Sequence, residues 1–400
     1  MSRFPILAAT ALVPMALLAQ QPVDQGPANV PSNTPAFAEQ TRAPASDSGV
    51  EFAVEELATG LTFPWGIAEL PDGGFLVTER EGRLRVIGAD GLRETPVAGV
   101  PEVVAQRQGG LLDVALDPQF ESNRVIYLTY AKPQPNNMSA TAAARAVLSE
   151  DMTELLEVQD IFVQTPPSPT PMHYGSRIVL DGEYAYITTG EHSREAERVF
   201  AQDMDKTYGK VVRLTPEGEV PADNPFVGQE GALPEIWTTG HRNVQGADLH
   251  PETGQLWTLE HGPAGGDELN LATPGLNFGW PVVSYGENYS GTPVGTGQAR
   301  HEPEFTEPRY YWDPVIAPGG FAFYEGELFG DWQGDILASS LRPGGLVRLE
   351  LDGDTVVGEE RLLGDVGRVR DVEITSDGAI LVLIDDPEGS VLRLTPGPSS

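Results

Sequence analysis

The stretch TTGHRNVQGADLHP, residues 238–251, sets His241, Arg242, Asn243 and Gln245 within five positions of one another. All four can donate hydrogen bonds, and one is a permanent cation, in a chain of formal net charge -34. Arginine gathers elsewhere too, as Arg342 in SSLRPGG and as Arg368 and Arg370 on either side of one residue in GRVRDV. Residues two apart on a strand share a face, so Arg368 and Arg370 are expected to point the same way. If Arg242, Arg342, Arg368 and Arg370 converge at the starts of successive repeats, they make a positive well suited to a small polyanion. Guanidinium groups bind carboxylates in bidentate fashion and stay charged when desolvated. The alternative for each is local pairing with a carboxylate such as Asp371.

Six histidines are available, His173, His192, His241, His250, His261 and His301, and none has the His-x-x-x-His or clustered spacing of a zinc site. With no cysteine in the chain, disulfides and thiolate metal sites are excluded. His173 follows the loop QTPPSPTPM and stands just before an apolar strand, where it is either a structural histidine or a general base facing a central pocket. EHGPAGGDELN, residues 260–270, joins turn carbonyls to Asp267 and Glu268, which is hard-oxygen ligation suited to Ca2+ or else a solvated acidic turn. DMDKTYGK, residues 203–210, misses the EF-hand pattern because Gly209 comes one place late and no terminal Glu follows.

These residues sit at the edges of a recurring phrase: a small or Gly residue, a short apolar strand, a Pro/Asp/Gly turn, a second apolar strand and a tight bend. Copies span 66–87, 113–131, 176–191, 246–262, 320–351 and 371–396. Each reads as a hairpin, and several continue into a third strand with a basic-apolar phrase: GRLRVI, GKVVRLTP, GLVRLEL, GSVLRLTP. A sheet of this size cannot cover its own apolar faces, so six copies predict an all-β, six-bladed β-propeller. EFAVEELA, residues 51–58, is expected to pair with the C-terminal strands and close the ring. The repeats are longer than the roughly 40 to 50 residues of compact propeller blades, which places long connections at 132–172, 192–207, 217–240 and 263–315. Ordered connections on a rigid scaffold are where sites are built.

Residues 1–19 have one basic residue, Arg3, and the apolar run FPILAATALVPMALLA, the pattern of a cleaved export signal, with a retained N-terminal anchor as the alternative. Beyond it no stretch reaches the roughly 18 apolar residues of a membrane span. Residues 20–48, rich in Pro, Ala, Ser and Gln without apolar period, read as a disordered tether before a propeller domain over 49–400. Only three of the 25 basic residues are Lys, and the acidic balance argues against nucleic acid and anionic membranes as partners. Export without disulfides fits a bacterial periplasm.

The phrases FPWGIAELPDGGFLVTER, RQGGLLDVALDP, MHYGSRIV, GHRNVQG, EHGPAGGDELN with NFGWP, APGG, SSLRPGG and GRVRDV together resemble the soluble PQQ-dependent aldose sugar dehydrogenases, relatives of soluble quinoprotein glucose dehydrogenase, over about residues 55 to 396. The resemblance implies that aldoses are oxidised at C1 to lactones, with hydride passing to PQQ and electrons to an acceptor whose identity the residues leave open. It makes His173 the base, and Gln108, Arg242, Asn243, Tyr289, Arg342, Arg368 and Arg370 the groups that hold the cofactor. Arg242 is expected at the quinone end, while His241 and Gln245 remain structural. The carbonyls of Gly262 and Pro263 match those that hold a Ca2+ bound to PQQ, and Glu268 with the carbonyl of Phe278 resembles a second, structural Ca2+ site. Glu191 stands where relatives carry Asp, and Arg342 where they carry Lys. A calcium-dependent propeller hydrolase or lactonase, or a glycan-binding propeller without catalysis, are the competing readings.

Overall fold

The computed structural model describes residues 20–398, so the expected export signal at 1–19 lies outside the described residues. Six four-stranded antiparallel sheets account for its 24 strands. The first strand of each sheet contacts the first strands of the sheets before and after it, and the sixth contacts the first, which closes a ring. In chain order these inner strands are Pro64–Glu69, Leu111–Leu116, Gly175–Leu180, Val244–Leu249, Pro318–Phe323 and Val369–Ile374, defining blades I to VI. Each begins one or two residues before a repeat read from the sequence. The expected third strands are found as well, at Arg83–Gly88, Lys210–Leu214, Leu346–Asp352 and Gly389–Pro396.

Packing explains why no blade stands alone. Six apolar clusters lie between successive blades, for example Leu76, Leu84, Val114 and Ile126 between I and II, and Leu381, Leu383, Ile67 and Val77 between VI and I. Each such side chain contributes about 1.5–3 kcal/mol of burial only when its neighbour blade is present. The chain ends share blade VI: Phe52–Leu61 pairs antiparallel with Gly389–Pro396, Phe52 opposite Pro396 and Leu61 opposite Gly389. That is the closure expected of residues 51–58. Every inner strand also shows a register irregularity against its partner within its first few residues. Bulges of this kind re-aim side chains at one end of a sheet.

Two expectations are corrected. The connection expected at 132–172 is largely strand, Met138–Leu148 and Leu155–Val163. Its alanines favour helix intrinsically, but Ala140, Ala142, Ala143, Ala144 and Ala146 are fully buried, where small side chains let neighbouring blades approach. Residues 20–48 differ from the predicted disordered tether. They have little regular structure yet lie along the outer edges of blades IV and V, where polar side chains pin them: Gln40 is fully buried, and Ala45 forms a bridge with Glu359. Composition misses this because the segment is held by hydrogen bonds to the propeller rather than by its own apolar pattern.

Candidate active site

At the end of the ring where the inner strands begin, a cavity of about 310 Å³ is lined from all six blades. Blade I supplies Trp65, blade II Gln108, blade III His173, blade IV Arg242 and Asn243, blade V Ala317, and blade VI Arg368 and Arg370. In an antiparallel hairpin, the residue entering the first strand and the residue leaving the second lie at the same end. The second set supplies Arg80, His261, Leu341 and Asp385. Tyr289, 79% exposed, reaches the mouth from the long excursion between the third and fourth strands of blade IV.

His173 is held from three directions. Its backbone is in the left-handed region at φ 49°, a strained conformation for a non-glycine residue. Its N–H donates to Gln108 Oε1 at 2.8 Å, and its Nδ1 lies 3.1 Å from Glu191 Oε1. Glu191 is itself buried, and its other oxygen accepts from the Ser193 N–H. The extra methylene of Glu therefore still reaches the imidazole. Burial, reinforced by Arg242, holds the His173 pKa below the ordinary histidine value despite Glu191. Burial opposes ionisation of Glu191, yet the His173 contact, Arg242 and the Ser193 amide keep its carboxyl below the usual range.

The GHRN turn is anchored from beneath by Glu260, which accepts from the Arg242 N–H at 2.6 Å and contacts His241 Nδ1 at 2.7 Å. His241 also reaches Thr238 and lies against the Phe278 ring, tilted 32° to it, so both of its ring nitrogens are engaged within the fold. Arg242 donates to the His261 carbonyl at 3.0 Å and lies 5.3 Å from the Trp280 ring. Asn243 accepts from the Gly175 N–H at 3.0 Å, tying two blades together. Gln245 was expected to be structural only, but it lines the cavity: its Oε1 takes Arg370 and lies 2.9 Å from His261 Nε2. Burial, with Arg242 and Arg370 close by, keeps His261 well below the ordinary histidine pKa.

Of the four arginines expected to converge, the structure brings three together. Arg242, Arg368 and Arg370 line the cavity, whereas Arg342 is exposed and outside it. It stands two residues past the end of the second strand of blade V, and its neighbour Leu341 takes the lining position that Arg80 holds in blade I. Arg80, which the sequence reading missed, is the fourth guanidinium. Local pairing also goes elsewhere than expected: Arg368 and Arg370 bond Asp385 at 2.8 and 3.0 Å, while Asp371 is taken by Arg177 at 2.8 Å. The cavity thus holds one carboxylate, set against Arg80, Arg368 and Arg370, with Arg242 bonded elsewhere, and the buried Nε atoms of Arg80, Arg242 and Arg370 have no hydrogen-bond partner.

Around the expected calcium residues the picture is mixed. Gly262 and Pro263 are buried, and the Gly262 N–H donates to Asp267 at 2.7 Å. Asp267 also accepts from the Ile316 and Ala317 amides, which commits it to structure. Glu268 is buried beside Glu260; burial and that neighbour push its carboxyl well above the usual range. Asn270 Oδ1 is buried without a partner in the same place. Among the described residues no three acidic or histidine side chains gather in metal-binding geometry. An ion here would need backbone carbonyls, as the expected Gly262, Pro263 and Phe278 ligands would be.

Residues 61–393 match the family model described as Glucose / Sorbosone dehydrogenase. The chain belongs to this family. Its relatives include the aldose sugar dehydrogenase YliI of Escherichia coli (strain K12), 40% identical over 346 residues, which are 86% of this chain and 92% of that protein. Among solved structures, the apo-form soluble aldose sugar dehydrogenase from Escherichia coli superposes with TM-score 0.83 at 40% identity, covering 87% of this chain and all of that one. The PQQ-bound form of an aldose sugar dehydrogenase from Streptomyces coelicolor does so with TM-score 0.70 at 28% identity, covering 86% and 98%. The glucose/sorbosone dehydrogenase family is thus an oxidoreductase family on this six-bladed scaffold. No helix among the described residues is long and apolar enough to cross a membrane.

Proposed function

We propose that the cavity binds PQQ and that the protein oxidises the C1 hydroxyl of aldoses to lactones, with His173 as general base. The observation that carries this reading is a buried histidine, fixed by Glu191 and Gln108, facing the same cavity as Arg80, Arg242, Arg368 and Arg370. The cavity volume of about 310 Å³ is at the lower end of the roughly 300–1,000 Å³ range of small-molecule sites. Three guanidinium Nε atoms without partners fit an anionic, oxygen-rich ligand. When bound, PQQ supplies an ortho-quinone that accepts hydride and three carboxylates that call for cations. Arg368, Arg370 and Arg80 would hold carboxylates, and Arg242, Asn243 and Gln108 would donate toward oxygens where charge develops. Tyr289 would close over the ligand from the mouth.

With Nδ1 engaged by Glu191, His173 presents Nε2 to the sugar. The base takes the hydroxyl proton as the C1 hydrogen leaves with its bonding electrons, and the oxygen lone pair closes the lactone carbonyl. Glu191 keeps the ring in one orientation and favours the imidazolium that forms, the role an oriented carboxylate plays beside a catalytic histidine. Ca2+ held by the Gly262 and Pro263 carbonyls would act as a Lewis acid, and a second ion by Glu268 and the Phe278 carbonyl would relieve the buried Glu260–Glu268 repulsion. A hydrolase would need free carboxylates in the cavity, and the one carboxylate there, Asp385, is bound through Oδ2 by Arg368 and Arg370. Electrons would pass from the reduced enzyme to an external acceptor.

The test is product identification with the purified protein, PQQ, Ca2+ and a dye acceptor. An aldonolactone should form in step with dye reduction. In His173→Gln, turnover should fall about a hundred- to ten-thousand-fold while PQQ still binds. Full activity in that variant would exclude His173 as the base.

A further inference from the structure

The segment 20–48 precedes the residues matched by the family model, which begin at 61, yet its contacts lead toward the site. Asp313 accepts from the Asn29 N–H at 2.8 Å, Asn29 Nδ2 at 2.7 Å and the Val30 N–H at 2.9 Å. Asn33 Nδ2 donates to the Tyr285 carbonyl at 2.7 Å. Gln40, at the end of the segment's single 3-10 turn, is 0% exposed with every amide position occupied. Its Nε2 donates to Glu307 Oε2 at 2.9 Å and the Pro308 carbonyl at 3.0 Å; its Oε1 accepts from the Ala36 N–H at 2.7 Å and lies 3.0 Å from the Tyr285 hydroxyl. A side chain satisfied in this way is costly to displace.

Tyr285 is where these contacts converge. Its ring stacks on Tyr311 at 3.9 Å, and its hydroxyl lies 2.6 Å from Glu307. Two residues on, Glu287 and Ala264 exchange backbone hydrogen bonds of 2.9 and 3.0 Å, directly beside the Gly262–Pro263 turn. Asn288 takes Arg198 at 2.9 Å, and Tyr289 lines the cavity. Residues 285–289 are therefore gripped by the site on one side and by the N-terminal segment on the other. The excursion that carries them has few strand contacts of its own, so its order depends on such ties.

We propose that the N-terminal segment is a brace for the cavity mouth, with Gln40 as a positioning residue that acts through Tyr285 and Glu307 to keep Tyr289 and the Gly262–Pro263 turn in place. The brace is a property of the chain itself; only the ligand named in its test rests on the proposed PQQ site. In full-length Gln40→Ala without cofactor, hydrogen exchange at amides 284–290 should quicken about tenfold or more while the inner strands of the blades stay unchanged. The PQQ dissociation constant should rise by about five- to tenfold. Adding Gln40→Ala to Tyr285→Phe should cost less than Gln40→Ala alone, because the part of the link that runs through the Tyr285 hydroxyl is already gone while the Glu307 part remains. Unchanged exchange, or full additivity of the two substitutions, would overturn the brace. Faster exchange with unaltered PQQ affinity would overturn its service to the site. Exchange is read on the apoprotein, so a wild type that binds no PQQ would sink the proposed function and leave the brace to be decided by exchange alone. Should Gln40→Ala fold poorly, Asn33→Ala removes only the tie to the Tyr285 carbonyl and is read by exchange at amides 284–290 and by PQQ affinity, without the Tyr285→Phe cycle.

Discussion

His173 is placed between an anion and a cation, and this makes its titration a test of its role. Burial and Arg242 hold its pKa below the ordinary histidine value of about 6.5, so the neutral base persists into mildly acidic solution. The acid limb of kcat/KM should therefore lie below about pH 6.5. Arg242→Gln removes the repelling cation and should move that limb up in pH. Glu191→Gln removes the stabilising anion and should move it down, with turnover reduced about tenfold or more by the loss of ring orientation. Shifts of the same sign in both variants would contradict the assignment. Much of this site lies where inner strands begin: His173, Arg242, Asn243 and Arg368 stand just before them and Arg370 is the second residue of one, while Gln108 was reached only through the family resemblance. Arg80, His261 and Asp385 leave second strands, the mirror position in each hairpin. Arg342 was expected at a blade entrance with the other arginines, whereas the hairpin register puts Arg80 in the cavity instead.

At the scale of elements, the site depends on hairpins whose ends approach too closely for side chains. A Cβ on Gly190, just past the second strand of blade III, would lie 2.0 Å from the His173 carbonyl oxygen and 2.9 Å from Asn243 Oδ1. Gly190→Ala must therefore push back the backbone that sets the φ of His173. It is expected to destabilise by about 1–3 kcal/mol, in the range of overpacked interiors, and to lower kcat more than it raises KM. A variant with wild-type unfolding midpoint and kcat would show that the close approach is not structural. Inner and third strands were readable from alternation and turn residues. The alanine-rich strand Met138–Leu148 was not, because what fixes it is the space between blades rather than its own preference. The excursion holding Tyr289 carries no repeat signal at all; its shape is set by partners such as Gln40, some 250 residues distant in the chain.

Over the whole molecule, charge is segregated along the ring axis. The cavity at one end holds four guanidinium groups, and the opposite mouth is lined by Glu69, Asp113, Asp248, Asp371 and Glu373. Arg177 stands between, bonded to Asp113 and Asp371 at 2.8 Å each and 4.9 Å from the Trp65 ring. With a formal net charge of -34, the folded state also bears strong self-repulsion. Its unfolding midpoint should rise with salt up to about 1 M, where the Debye length falls to about 3 Å; a flat or falling midpoint would show that pairing rather than screening manages the charge. The most direct test of the proposed function is an anaerobic titration of the apoprotein with PQQ in the presence of Ca2+, followed spectroscopically and ended by adding an aldose. The arrangement predicts one PQQ bound per chain and bleaching of the bound quinone absorbance on sugar addition. Absence of binding, or a bound quinone that aldoses leave unchanged, would contradict it.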